Sequence, residues 1–138
     1  MQFENSKVKY DNQTGTDPSY QANYLQAIWN VTGENHNYSN SSGTFGWIKP
    51  NSKFSSKGGT GALQIGVRYS KFDASNIAAA AGFTNSANAM TYGITWIAND
   101  NVRLMLNFVS TDFKTPIGTG TAVRTNERAI MTRAQVSF

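Results

Sequence analysis

The sequence predicts an all-β fold: an antiparallel transmembrane β-barrel segment of about six strands. Apolar and polar residues alternate over several stretches long enough to cross a tilted bilayer, and a period of two belongs to a strand with two different faces. Charged residues make up 14% of the chain, against about 25% in typical soluble domains, and Gly, Asn, Ser and Thr fill the gap. The final stretch alternates up to an aromatic C-terminal residue, Phe138.

The strands are read in order. Residues 2–10 alternate poorly and form the weakest candidate. In 20–33, Leu25, Ala27, Trp29 and Val31 oppose Tyr24, Gln26, Ile28 and Asn30. In 61–73, Leu63, Ile65, Val67 and Tyr69 oppose Gln64, Gly66, Arg68 and Ser70. In 89–98, Tyr92, Ile94 and Trp96 oppose Thr91, Gly93 and Thr95. In 101–113, Val102, Leu104, Leu106 and Phe108 oppose Arg103, Met105, Asn107 and Val109. In 126–138, Ile130, Thr132, Ala134, Val136 and Phe138 oppose Ala129, Met131, Arg133, Gln135 and Ser137. Strands of about 9–11 residues suit a tilted bilayer crossing. The polar face of the five clear strands is read as carrying Arg68, Arg103 and Arg133 and no acid. A terminal aromatic is the usual last residue of bacterial outer-membrane barrels, so Phe138 is expected to be read by the barrel-assembly machinery.

The connections set an orientation. Residues 98–101 form a tight turn, while 74–88 and 114–125 are long and low in charge. Short turns on one side and longer loops on the other are the outer-membrane pattern. Phe138 then lies at the periplasmic end with Trp29 and Trp96, and Tyr69, Tyr92 and Phe108 lie toward the outer end, as two aromatic girdles. Segment 34–59 breaks the pattern, because it is long on the short-turn side. It carries Lys49, Lys53 and Lys57 against one acid, Glu34. Two readings stand: a basic turn that folds into a pore and narrows it, or a plain periplasmic loop.

Composition removes other classes. The chain of 138 residues has no cysteine, which excludes a disulfide framework and thiolate metal sites. Its mean hydropathy is −0.43, and no apolar run approaches the roughly 18 residues of a membrane-spanning helix. The first residues show no secretory signal, so the chain is expected to be the C-terminal piece of a longer precursor. A lone histidine, His36, makes a poor metal site. Neither a nucleophile elbow nor a P-loop occurs, so neither enzymatic activity nor a cofactor is expected. The net charge of +4 suits nucleic acid, an anionic membrane surface or small anions. Outer-membrane lipid and small anions are the expected partners, and nucleic acid is not expected.

Three stretches carry a family resemblance. Tyr24-Leu25-Gln26-Ala27 with Val31-Thr32-Gly33-Glu34, Gly61-Ala62-Leu63 with Arg68-Tyr69-Ser70, and Asn101 to Phe108 resemble the C-terminal part of the phosphate-selective porins, the porin O and P family. The resemblance runs from about Tyr20 to Phe138 and implies the last third of a larger porin barrel of about 16–18 strands. It also implies a homotrimer in the bacterial outer membrane and an anion channel passing solutes such as phosphate. By the same resemblance Lys49 and Lys53 are candidate anion contacts, with Lys57 behind them, and Arg68 and Arg103 are inward basic positions. Each arginine is read either as touching anions or as pairing with a carboxylate from another strand. One rival is a soluble β-sandwich carbohydrate-binding module, whose apolar faces pack on each other. Another is a complete barrel of about eight strands acting as an adhesin or enzyme.

Overall fold

The computed structural model describes residues 1–9, 19–36, 38–75, 77 and 83–138. Position 10 of the first predicted strand and the middle of the predicted 74–88 loop lie outside the described residues. The long strands are β1 (Gln2–Lys9), β2 (Ser19–Asn30), β5 (Ala62–Asp73), β6 (Ser86–Ile97), β7 (Val102–Ile117) and β8 (Arg124–Val136). They form one antiparallel sheet in the order β1-β2-β5-β6-β7-β8, with β1 and β8 at its two ends. A short hairpin, β3 (Tyr38–Ser39) with β4 (Thr44–Phe45), sits inside the long segment between β2 and β5.

All six predicted strands are present; β2 ends three residues before its predicted end, β6 begins three before its predicted start, and the larger differences from expectation are at β1 and β7. β1, the weakest by pattern, is a full strand paired with β2 from Gln2↔Gln26 to Lys9↔Ser19. Its sequence alternates poorly because Asn5, Lys7 and Lys9 share a face with Phe3, so one face is apolar only at one end. β7 runs to Ile117, past the predicted end, and the connection to β8 shrinks to a few residues containing a single 3₁₀ turn, Gly120–Ala122. Lys114, Thr115 and Pro116 read as loop in sequence; here Thr115 N donates to the Thr84 hydroxyl at 3.4 Å, just outside β6.

The chain forms two compact units, each built from parts of the same strands. One comprises 1–27, 67–91 and 108–129, the other 28–66, 92–107 and 130–138. In the second unit Ile48, Ala62 and Ile97 form a small buried cluster. Gly61 precedes β5 with φ +74°, and a Cβ there would meet Ile97 O at 2.6 Å. Only glycine tolerates both the left-handed backbone and that close approach.

The alternation read from sequence appears as a difference in exposure. Leu104 and Leu106 are 44% and 45% exposed, while Arg103, Met105 and Asn107 between them are partly covered. Ile65 and Val67, at 39% and 40%, repeat this on β5. Among the described residues no second layer lies on the apolar face. A soluble sandwich would bury these four side chains, so the soluble-module alternative is not favoured.

Candidate functional site

The second unit contains the long segment between β2 and β5, and its packing is specified residue by residue. At its root Val31 N donates to Leu63 O at 2.8 Å, and Leu63 N to the Thr32 hydroxyl at 2.9 Å. Gln64 Nε2 reaches Asn30 Oδ1 at 2.7 Å, and Asn30 Nδ2 reaches the Glu34 carbonyl at 2.6 Å. Glu34 itself is only 4% exposed. Its carboxylate accepts from the Thr32 hydroxyl and from Asn51 N, which joins the two ends of the segment. Burial alone pushes the Glu34 carboxyl up, but these hydrogen bonds outweigh it and hold it below the usual glutamate range.

Beyond this clip the chain lies on the sheet. Ile48 is 6% exposed and packs with Ala62 and Ile97, both on the polar-face parity of their strands. Next to it the Trp47 ring lies 3.8 Å from the Arg103 guanidinium carbon. The segment therefore folds over the face that carries Arg103. Together Trp47, Ile48, Gln64, Ile97, Arg103 and His36 line an open cleft of about 240 Å³, room for several waters at about 30 Å³ each. Further along, Phe54 N donates to Ala98 O at 2.7 Å, and the Phe54 ring meets Trp96 edge-on at 5.1 Å. Lys53 Nζ lies 2.5 Å from Asp100 Oδ2 in the β6–β7 turn. That hydrogen bond, aided by the charges of Lys53 and Lys49, holds the Asp100 carboxyl below its ordinary range despite some desolvation.

The first unit has its own basic group. Arg68 lies 3.9 Å over the Tyr24 ring, and its Nε donates to Ser70 Oγ at 3.0 Å. Tyr24 OH donates to Glu4 Oε2 at 2.6 Å and accepts from Gln2 Nε2 at 2.9 Å. Gln26 Nε2 completes the chain on Gln2 Oε1 at 2.7 Å. Tyr24 pairs with Glu4 across β1 and β2, so an acid shares the face of Arg68.

The sequence-predicted residues are therefore placed unevenly. Arg103 sits in the cleft under the long segment, and Arg133 is exposed on β8. Lys49 is exposed beside buried Ile48 and Pro50. Lys53 is held by Asp100, so its charge is partly offset. Lys57 and Phe138 are exposed. The expectation that the polar face of the five clear strands carries no acid needs correction, because Glu127 shares the parity of Arg133 on β8; β1, outside those five, adds Glu4 beside Tyr24. Sequence reasoning missed Trp47, Glu34, Tyr24 and Glu4 as partners. Tyr24 was findable, as the only aromatic among the polar-face positions assigned to its strand.

A sheet with an exposed apolar face, and with Arg103 on the opposite face under a folded segment, has the make-up of a channel wall. The family described as phosphate-selective porin O and P matches residues 1–138, and the chain belongs to it. It is also 31% identical over 109 residues to an uncharacterized protein of Caulobacter vibrioides. That match takes in 78% of this chain and 21% of the relative, so the chain spans about a fifth of that relative's length.

Proposed function

We propose that the protein is an outer-membrane porin for passive diffusion of small anions such as phosphate, and that this chain forms the C-terminal part of its barrel. One observation carries the reading. Ile65, Val67, Leu104 and Leu106 stand exposed on the apolar face, which, among the described residues, the segment at 34–59 touches only at the strand end through Phe54 and Trp96. Trp47 and Ile48 of the same segment fold over the opposite face and pack on Arg103, Ala62 and Ile97. Water and lipid on opposite sides of one sheet explain both facts. Lipid against Ile65, Val67, Leu104 and Leu106 satisfies an apolar surface that water would not. The family description supports phosphate as the solute. Homotrimer formation, and recognition of Phe138 by the assembly machinery, belong to the same proposal.

Selectivity follows from the sign of charge on the polar face. Arg68, Arg103 and Arg133 lie on it, with Lys49 and Lys57 on the folded segment as further cations. Such groups raise the local anion concentration in a confined aqueous lumen. Glu4 and the Lys53–Asp100 pair moderate the field without reversing it. The test is the reversal potential of the channel in a planar bilayer under a potassium chloride gradient. Anion preference is expected, and Arg103→Glu should reduce it. A cation-selective wild-type channel contradicts the proposal.

A further inference from the structure

We infer that Trp47 is a positioning residue that makes the Arg103 cleft discriminate oxyanions from halides. This rests on the channel reading above. A guanidinium offers two apolar faces and a planar rim of N–H donors. The Arg103 guanidinium lies over the Trp47 ring at 3.8 Å, with both residues on the cleft wall, a contact that restrains how the guanidinium can turn. A rim held in this way matches two oxygens of one tetrahedral oxyanion in a fork. A spherical halide has no second atom for the fork and responds only to the charge. Charge and discrimination are thus carried by different residues: Arg103 supplies the cation, and Trp47 sets its orientation.

The geometry makes this more than a chance contact. Trp47 comes from the long segment, and its neighbour Ile48 is fixed in the cluster with Ala62 and Ile97, so the ring is carried on an anchored backbone. Trp47 itself stays 60% exposed. Hydrophobic burial therefore does not account for its position, and contact with Arg103 is the main interaction of its ring face. Across the cleft Gln64 is held by Asn30 at 2.7 Å, so the opposite wall is fixed as well.

The experiment compares Trp47→Phe with Trp47→Leu in the intact channel. Both keep an apolar side chain, and only phenylalanine keeps a π face. The readout is the phosphate-to-chloride permeability ratio from bi-ionic reversal potentials. Trp47→Leu should lower the ratio roughly two- to five-fold, as expected for loss of an exposed cation–π contact, while Trp47→Phe keeps most of it. In an Arg103→Gln background the leucine change should have no further effect. Equal ratios for the leucine and phenylalanine variants, or an undiminished leucine effect without Arg103, overturn the inference while leaving anion selectivity standing. A cation-selective wild-type channel overturns both.

Discussion

Glu34 carries more of the folded segment than any of its lysines. Its buried carboxylate joins Thr32 at one end to Asn51 at the other. Removing it takes away the acceptor that joins Thr32 to Asn51; both of these residues are exposed, so water can replace it and the cost is about 0.5–1.5 kcal/mol. Glu34→Ala should therefore loosen the segment, and trypsin cleavage after Lys57 should speed up relative to wild type in lipid-reconstituted protein. The pH dependence has a definite sign. A carboxyl held below its ordinary pKa contributes stability that is fully present above about 4.3, the unperturbed glutamate value, and is lost as the pH falls through the folded-state value. The Lys53–Asp100 pair, with Asp100 also held low, weakens in the same direction. Acidification below that range should lower the protection of the segment's amides in hydrogen exchange, after correction for the intrinsic pH dependence, and the Glu34→Ala variant should show a smaller loss.

These residue-scale contacts were the least legible part of the sequence. Arg68, Arg103 and Arg133 could be found because parity within a strand places them on one face. Trp47 and Glu34 lie outside any strand, where no period exists to read. What joins them to Asn51 and Arg103 is the fold of the segment, which depends on contacts far apart in sequence. Glu4 was missed for another reason: its strand alternates poorly because lysines and asparagines share a face with Phe3.

At the scale of elements the period of two did most of the work. β2, β5, β6 and β8 lie close to their predicted ranges, because Leu, Ile, Val and aromatic residues alternate there with small or polar ones. Ends were legible where a turn residue marks them, as at Asn99-Asp100-Asn101, where the Asn99 side chain caps Asn101 N at 2.9 Å. The outer end of β7 was not, because Lys114 and Pro116 carry loop chemistry within a strand. The two faces also predict opposite tolerances. Leu104→Arg should cost roughly 2–4 kcal/mol of folding stability in lipid if Leu104 lies near the midplane. Asn107→Arg should cost little, because its side chain lies over Gly93, where there is no Cβ to crowd it. Folding titrations in lipid vesicles measure both, and equal costs contradict the assignment of faces.

For the whole molecule the decisive feature is that the sheet ends at β1 and β8. Exposed strand edges pair with other chains in water and are not tolerated bare in hydrocarbon. Residues 1–138 expressed alone should therefore aggregate or stay unfolded, and a stable monodisperse monomer without detergent contradicts the proposal that they form part of a barrel. In a channel wall the two faces of the sheet meet different solvents, lipid on one and water on the other. The chain has no cysteine, so single cysteines introduced into it report their own position. The most direct measurement is the reaction of Leu106→Cys and Asn107→Cys channels with a charged, membrane-impermeant methanethiosulfonate in a planar bilayer. A step in conductance is expected for the Asn107 variant and none for the Leu106 variant; a step at Leu106, or an inert Asn107 position, is incompatible with lipid on one face and water on the other.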